Sequence, residues 1–203
     1  MRARLALLIA CGLVLGSALG LLLIPGALQS ALQRLIPVGA VGQASVGGPF
    51  SLVDHTGKRV TDGDFRGRFM LVYFGFTFCP DVCPAGLQLM AAAIDALGAK
   101  ADRVTPVFIT VDPERDTPAQ LAQYVPSFHP RLVGLTGTPA EIQAVARAYR
   151  VYFQKVKDER SSAPYTMDHT SIIYLMDPQG RFVTHFTHAT PLATIINTLG
   201  KNL

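Results

Sequence analysis

The stretch FMLVYFGFTFCPDVCP, residues 69–84, indicates the fold class and also where chemistry can occur. Its first eight residues, 69–76, are an almost continuous apolar run, which is typical of a strand buried on both faces of a sheet covered by helices. Cys79 and Cys83 follow directly in a C-x-x-x-C spacing, and residues 85–97, rich in Ala, Leu and Met, predict a helix. The two cysteines are therefore expected at the carboxyl end of a buried strand, where open α/β sheets place their sites.

Strands and helices alternate along the rest of the chain. Residues 104–111 predict a second buried strand, and Thr117 and Thr138, each followed by Pro and by Gln or Glu three residues on, predict helix starts. Turn residues at 54–57 and 177–180 predict a hairpin at each end. Further strands are expected at 151–157, 171–176 and 181–186, and a last helix after Thr190-Pro191. The pattern predicts an α/β fold with a mixed central sheet flanked by helices and an extra N-terminal hairpin.

Two prolines determine where the cysteines are expected to lie. Pro80 and Pro84 disfavour helical geometry at the residue before each of them, which is a cysteine in both cases. We therefore expect Cys79 in a loop and Cys83 at the cap of the helix, with Pro84 as the first helical residue. The partial positive charge and free N–H groups of a helix N-terminus stabilise a thiolate and lower its pKa.

From the spacing alone, three interpretations of the cysteine pair stay open. The pair is either two buried structural thiols, a dithiol/disulfide couple, or part of a metal clamp. A disulfide requires the loop to bring the two Cα atoms within about 7 Å. Thiolates are soft ligands that favour Cu(I) or Zn, and either metal ion would need a third ligand from elsewhere in the chain.

Five histidines are available as that third ligand. Four are expected in a turn, in a loop or at the solvated end of the last strand: His55, His129, His185 and His188. His169 differs because it immediately precedes the apolar run 171–175, which predicts a place at the start of a central strand. Asp168 beside it could orient the imidazole ring. His169 is therefore the favoured candidate, although the residues alone leave the ligand set open.

The N-terminal segment predicts a membrane anchor. Residues 5–24 carry no charge, and 20 residues at 1.5 Å each reach about 30 Å, the thickness of a bilayer core. Arg2 and Arg4 precede this segment and favour a cytoplasmic N-terminus. The expected parts are a cytoplasmic stub and transmembrane anchor at 1–24, a linker at 25–47 and a soluble domain at 48–203.

Two other interpretations of the N-terminus are less favoured. A cleaved signal peptide would have a shorter apolar region and an A-x-A-like cleavage site, and neither is present. Residues 8–11 resemble a lipobox, but the apolar run continues 13 residues past Cys11, so Cys11 is interpreted as a small apolar residue of a membrane helix. After residue 24, the 16 basic residues (18 less Arg2 and Arg4) nearly balance 14 acidic ones. No Lys/Arg cluster there indicates a nucleic-acid partner.

Several motifs together resemble the Sco/SenC family. They are FTFCPDVCP at 76–84, VDPERDTP at 111–118, GLTG at 134–137, DHTS at 168–171 and YLMDPQG at 174–180. They occur in the family's order and extend over most of residues 45–203. The full set is highly specific, whereas C-x-x-x-C alone would not be.

This resemblance implies a thioredoxin-like fold and copper binding by Cys79, Cys83 and His169, with one ion per chain as Cu(I), Cu(II) or both. It also places His169 near the cis-proline position of thioredoxins, so that its ring would face the loop that carries the cysteines. The implied role is assembly of the CuA centre of cytochrome c oxidase, with Cys79 and Cys83 as a redox-active pair able to form a disulfide. The expected partners are the CuA-bearing oxidase subunit and another periplasmic copper chaperone or a thioredoxin-like reductant.

The favoured function is that of a copper metallochaperone anchored in a bacterial inner membrane with its domain in the periplasm, since no long Arg- and Ser-rich transit peptide precedes the anchor. A thiol-disulfide oxidoreductase that reduces the CuA-site cysteines, and a copper- or redox-sensing interaction module, are the alternatives. A peroxiredoxin is disfavoured because Phe76 stands where that family has Thr or Ser, and a glutathione-peroxidase-like site because the chain has no Trp. The charged loop 112–116 is interpreted as turn and capping residues rather than as a docking edge, and Asp81 is given no role.

Overall fold

A computed structural model describes residues 46–157 and 163–203 of the chain. The strands are β1 Ser51–Asp54, β2 Arg59–Thr61, β3 Phe69–Gly75, β4 Val104–Thr110, β5 Val133–Thr136, β6 Phe153–Val156, β7 Thr166–His169, β8 Ile172–Met176 and β9 Phe182–Thr187. The α-helices are α1 Val82–Asp95, α2 Pro118–Tyr124, α3 Pro139–Ala148 and α4 Leu192–Asn202. Among these residues no helix has the length and apolar character needed to cross a membrane. The anchor expected at residues 5–24 lies outside the described residues.

Seven strands form one mixed sheet in the order β2-β1-β5-β4-β3-β8-β9. Strand β4 pairs in parallel with β3 and β5 at the centre, whereas the hairpins β1–β2 and β8–β9 add antiparallel strands at the two edges. All seven residues of β3 and all seven of β4 are buried. This burial on both faces confirms what the two apolar runs predicted, and the arrangement is the expected thioredoxin-like α/β fold.

The helix starts follow the capping chemistry of the sequence. The Thr117 side chain accepts a hydrogen bond from the backbone N–H of Gln120 at the start of α2. At the start of α3, Thr138 accepts from the N–H of Glu141, and the Glu141 carboxylate accepts from the N–H of Thr138 at 2.7 Å. In both helices a proline occupies the first turn, where its missing N–H is no loss. These local signals therefore place α2 and α3 as predicted.

Strand β5 is not predicted by the sequence pattern, because Gly134 interrupts a segment of only four residues. The structure explains the glycine. A Cβ atom at this position would lie 2.9 Å from Val125 and 3.2 Å from Leu121, so the backbone of β5 has α2 and the turn after it packed directly on it. Glycine is therefore required by packing here, and its weak strand propensity conceals the strand.

Strands β6 and β7 form a separate antiparallel two-stranded sheet. This corrects the prediction that His169 begins a central strand: His169 ends β7, opposite Phe153, and the central strand β8 begins at Ile172. Two residues, 170 and 171, separate them and allow the chain to change sheets. The β6–β7 hairpin, defined by those two strands, therefore carries His169 to the site.

Candidate metal centre

Cys79 lies on the segment that joins β3 to α1, and Cys83 lies at the start of α1. Strand β3 ends at Gly75, and the N–H of Cys79 bonds to the carbonyl of Phe76 at 3.2 Å, which turns the loop back toward the sheet. Cys83 lies in the first turn of α1 and is fully buried, whereas Cys79 is 8% exposed. Both cysteines carry free thiols in this structure. Both thiols are thus buried, and only that of Cys79 keeps a small exposed fraction.

The helix begins earlier than the sequence predicts. Asp81 is the N-cap residue and Val82 the first helical residue, so Cys83 lies inside the helix rather than at its cap. Pro84 is only the third helical residue, where its missing N–H costs no intrahelical hydrogen bond, so the helix accepts it despite the steric preference that proline imposes on Cys83. The Asp81 side chain makes no capping hydrogen bond.

His169 reaches the cysteines from the hairpin. Its Nδ1 atom lies 3.1 Å from the carbonyl oxygen of Thr170, and its Nε2 atom lies 3.3 Å from Sγ of Cys83. A carbonyl oxygen can only accept, so Nδ1 carries the proton and Nε2 of the neutral ring presents its lone pair to the thiols. The expectation that Asp168 orients this ring is therefore wrong: Asp168 is exposed, and the Thr170 carbonyl fixes the tautomer.

The structure brings the three favoured candidates into one cluster. Within the residues that it describes, Cys79, Cys83 and His169 form the one group of three or more potential metal-ligating side chains, and their donor atoms all lie within 4.8 Å of one another. The cluster opens into a surface groove of about 380 Å³ that Cys79 and His169 line, whereas Cys83 lies beneath it. A small ion could therefore be reached from solvent through Cys79 and His169.

Aromatic side chains form the wall around the imidazole. The ring of Phe76 meets the His169 ring edge to face, with centroids 5.7 Å apart, and Tyr73 does the same at 6.4 Å. The Tyr73 hydroxyl donates to the carbonyl of Val82 in the first turn of α1. Burial raises the pKa of Tyr73, so the phenol stays neutral. Tyr73 is a wall residue that the sequence pattern misses, because it lies within an otherwise apolar strand.

The pKa values of the two thiols are shifted in opposite directions. A hydrogen bond from Cys83 lowers the pKa of Cys79 to about 4; burial opposes this shift, while the backbone N–H groups of Asp81 and Cys83 support it. The pKa of Cys83 is raised, because its thiol donates to Cys79 and because it is buried. The pair therefore holds a thiolate at Cys79 and a proton at Cys83. Asp81 contributes to this through its backbone rather than its carboxylate.

The other four histidines lie outside this cluster. Nδ1 of His55 accepts a hydrogen bond from the N–H of Gly134. His129 is buried: its Nδ1 accepts from the N–H of Arg131, and its Nε2 lies 3.4 Å from Asp95. The last two are exposed, as expected: His185 and His188. The structure therefore assigns structural hydrogen bonds to His55 and His129.

A buried carboxylate accepts hydrogen bonds from the cysteine loop, which we define as residues 76–81 between β3 and α1. Asp116 accepts hydrogen bonds from the N–H and the hydroxyl of Thr77, at 2.9 and 2.6 Å, and from the hydroxyl of Thr110 at 2.6 Å. Burial raises the pKa of Asp116. The sequence offers one indication of this role, since Asp112 and Asp116 lie in the charged segment that follows a fully buried strand. Turn chemistry explains such residues equally well, so the sequence could not distinguish the two.

The donor set of the cluster suits a soft metal ion. Two cysteine sulfurs match Cu(I), and an added imidazole nitrogen extends the set toward Cu(II). The fold and the site together therefore define a thioredoxin-like α/β protein with a Cys-Cys-His group suited to copper. The family model described as SCO1/SenC matches residues 39–203. The chain belongs to the SCO1/SenC family, which confirms the resemblance seen in its motifs.

Individual relatives agree with this assignment. Protein SCO1 homolog 1, mitochondrial, of Arabidopsis thaliana is 51% identical over 148 residues, which are 72% of this chain and 44% of that protein. The chain thus spans less than half the length of this curated relative.

Solved structures extend the comparison. Copper-bound ScoI of Arabidopsis thaliana is 46% identical, with a TM-score of 0.73 over 78% of this chain and 98% of that one. Copper-bound ScoI of Bradyrhizobium japonicum is 48% identical, with a TM-score of 0.72 over 78% and 100%. BsSco, described as having a disulfide switch and as a member of the Sco family of cytochrome c oxidase assembly proteins, is 26% identical, with a TM-score of 0.61 over 78% and 93%.

Proposed function

We propose that this protein is a copper metallochaperone that supplies the CuA centre of cytochrome c oxidase, with Cys79, Cys83 and His169 as the copper ligands. The observation that carries the proposal is the convergence of these three donor atoms within 4.8 Å at a surface groove. Copper-bound structures of ScoI relatives support the choice of metal. Copper is here the cargo, and one ion per chain is expected.

Transfer would proceed by ligand exchange. Cys79 lies at the groove and carries the low pKa, so it can bind copper as a thiolate and can also be replaced there by an incoming thiolate. Cys83 is fully buried and would release the ion later. A partner that supplies two thiolates, as the CuA-bearing subunit would, could therefore take the ion stepwise without the ion entering water.

Oxidation of the pair provides the first test of the ligand set. A disulfide would consume both sulfur ligands, and a metal ion requires them as thiolates. Reduced full-length protein dialysed against one equivalent of copper should retain about one ion per chain, whereas oxidised protein should retain little. Equal retention by the two forms would place the copper away from Cys79 and Cys83.

A second function, thiol-disulfide oxidoreductase, is favoured by the acidity of Cys79. The Cys79 thiolate would attack a partner disulfide and release one partner thiolate, and Cys83 would then attack the mixed disulfide and release the other. Two electrons pass to the partner, which gains two thiols, while this chain gains a Cys79–Cys83 disulfide. The low pKa of Cys79 and its hydrogen bond to Cys83 suit this sequence of steps.

One mixing experiment separates the two functions. The full chain in detergent is loaded with copper and mixed with the reduced apo oxidase copper subunit; separately, the reduced, copper-free chain is mixed with the oxidised subunit. A metallochaperone transfers copper to the reduced subunit and leaves its thiol count unchanged. A reductase converts the oxidised subunit to thiols, with one disulfide formed in this chain for each one reduced. If no copper is transferred and no subunit disulfide is reduced, both functions are rejected.

The same proposal includes a membrane-anchored layout: a transmembrane anchor within residues 1–24, a linker at 25–47 and the copper-binding domain at 48–203 in the periplasm. Its basis is the uncharged segment 5–24 behind two arginines. A reporter active only in the periplasm, fused to the C-terminus, should be active in the membrane fraction. An inactive reporter, or a soluble mature protein that lacks residues 1–24, would contradict the layout.

A further inference from the structure

The loop between β4 and α2 buries charge where the sequence suggests only a turn. Asp112 is 1% exposed and Asp116 is fully buried, and the Arg115 side chain is 16% exposed. Burial of charged side chains is costly unless they are paired and hydrogen-bonded. Residues 112–116, which we name the brace loop, make specific contacts that offset part of this cost.

One end of the brace loop holds the cysteine loop. The two hydrogen bonds from Thr77 to Asp116 fix the residue that lies two positions before Cys79. The Arg115 guanidinium also lies over the rings of Phe76 and Phe78, with its Cζ atom 5.8 and 4.8 Å from their centroids. Phe78 is 57% exposed and directly precedes Cys79. The brace loop thus contacts three consecutive residues of the cysteine loop.

The same guanidinium also contacts Tyr165, next to the β6–β7 hairpin. Its Cζ atom lies 3.9 Å from the ring centroid of Tyr165, and its Nη1 donates to the Tyr165 carbonyl at 3.1 Å. The Tyr165 hydroxyl donates to Asp112 at 2.9 Å, and Asp112 also pairs with Arg115 through Nε. Lys155 covers the same tyrosine ring at 4.6 Å. Tyr165 directly precedes β7, the strand that ends at His169.

Arg115 therefore lies between the two parts of the chain that supply the site. Phe76, one of the rings that it covers, packs edge to face on the imidazole of His169, and Tyr165, another, leads into the strand that carries His169. Cation–π contacts are strengthened when the cation is desolvated, as it is here.

We propose that Arg115 is a positioning residue that sets the distance between His169 and the two thiols, and thereby controls the binding of Cu(II). This inference rests on the copper-binding function proposed above. Cu(II) prefers several ligands, with imidazole among them, so it depends on where His169 lies. Cu(I) is satisfied by two thiolates, and Asp116 holds their loop without Arg115. A less fixed hairpin should therefore lower the affinity for Cu(II) and leave the affinity for Cu(I) unchanged.

Arg115→Lys tests the proposal. Lysine keeps the charge next to Asp112, but it lacks the planar fork that can contact the aromatic rings while it donates to the Tyr165 carbonyl. Substitution of a residue that orients a metal ligand typically lowers the metal affinity about 10-fold to 100-fold. We expect a loss of that size in Cu(II) affinity with a shifted thiolate-to-copper band, and Cu(I) affinity close to wild type. The matched control is Arg181→Lys, since Arg181 pairs with Asp177 through the same Nε atom at the far end of β8.

Tyr165→Leu serves as a second variant, because Arg115→Lys alters a largely buried side chain and could weaken the fold. It removes the stacked ring and the hydroxyl but keeps the carbonyl, and the same selective loss of Cu(II) is expected. Apo melting temperatures identify any variant whose fold is impaired. The brace role is overturned if both folded variants keep the wild-type Cu(II) band, or if they lose Cu(I) as strongly as Cu(II). Wild-type protein that binds no copper would instead reject the proposed function itself.

Discussion

The Sγ atom of Cys83 lies 3.3 Å from Nε2 of His169, although 86 positions separate the two residues in sequence. The Thr170 carbonyl holds the proton of His169 on the opposite ring nitrogen. The lone pair of Nε2 is therefore available in the direction of the thiols, which is what a third metal ligand requires. This relationship separates His169 from the other four histidines in a way that can be tested.

His169→Ala should remove Cu(II) binding while much of the Cu(I) binding remains. Two thiolates can hold Cu(I) in a linear arrangement, whereas Cu(II) prefers tetragonal geometry with imidazole among its ligands. The measurement is the thiolate-to-copper absorption band of the Cu(II) form, together with retention of Cu(I) after dialysis. Cys79→Ala or Cys83→Ala should weaken the binding of both ions.

Single alanine variants of His55, His129, His185 and His188 are the controls, and they should leave both ions bound. His129 is buried, so its variant is compared only after melting of the apo protein shows an intact fold. The ligand assignment fails if a stable His169 variant keeps its Cu(II) band unchanged. It fails equally if one of the four control histidines proves to be the residue whose loss removes the band.

The sequence predicts the half of the site that is local. A buried strand, a loop with two cysteines and a helix follow one another within residues 69–97, so the place of Cys79 and Cys83 follows from strand and helix periodicity. The predicted helix start is two residues too late. Proline at the third helical position costs no intrahelical hydrogen bond, so the steric preference of the residue before it does not keep Cys83 out of the helix.

The distant half of the site depends on packing that no local pattern encodes. His169 reaches Cys83 only because the chain leaves the main sheet to form the β6–β7 hairpin. Motif resemblance implied that His169 belongs to the site, whereas periodicity alone gave it the wrong strand. The roles of Arg115 and Asp116 depend on which rings and hydroxyls surround them after folding. Charged residues in a loop suit a turn equally well, so the sequence could not predict these contacts.

The apo, reduced protein should carry one thiolate per chain at neutral pH. Because the pKa of Cys79 is lowered to about 4 and that of Cys83 is raised, only Cys79 ionises across this range, and it takes up a proton as the pH falls through about 4. The thiolate ultraviolet absorbance during an acid titration measures this step. Cys83→Ala should raise the midpoint, because it removes the hydrogen bond that contributes most to the low pKa.

Cys79→Ala is the matching control in that titration. It should remove the thiolate of the pair at neutral pH, since burial raises the pKa of Cys83. A thiolate that persists at neutral pH in Cys79→Ala would assign the ionised sulfur to Cys83. It would also reverse the order of exchange proposed for copper release.

Asp116→Asn should destabilise the domain and loosen the cysteine loop. The two carboxylate oxygens accept three hydrogen bonds from Thr77 and Thr110, and an amide nitrogen would face donors instead. An unsatisfied buried group costs about 1–3 kcal/mol, which denaturant unfolding of the apo protein should detect. Asp102→Asn is the control, because the Asp102 side chain is 92% exposed and should contribute little. Equal stability of the two variants would show that Asp116 does not hold the loop.

Gly75→Ala should displace the Cys83 thiol, because this glycine leaves the space that the thiol occupies. A Cβ atom at position 75 would lie 2.8 Å from Sγ of Cys83 and 2.9 Å from the Phe108 ring. Overpacking of this kind costs about 1–3 kcal/mol, and the displaced thiol should also shift the thiolate-to-copper band of the Cu(II) form. Gly200→Ala is the matched control: its Cβ meets nothing within 4 Å, and it lies in α4, so it should stabilise the domain by about 0.5–1 kcal/mol. A Gly75→Ala variant that melts like wild type and keeps an unshifted band would show that Cys83 is not confined as the structure places it.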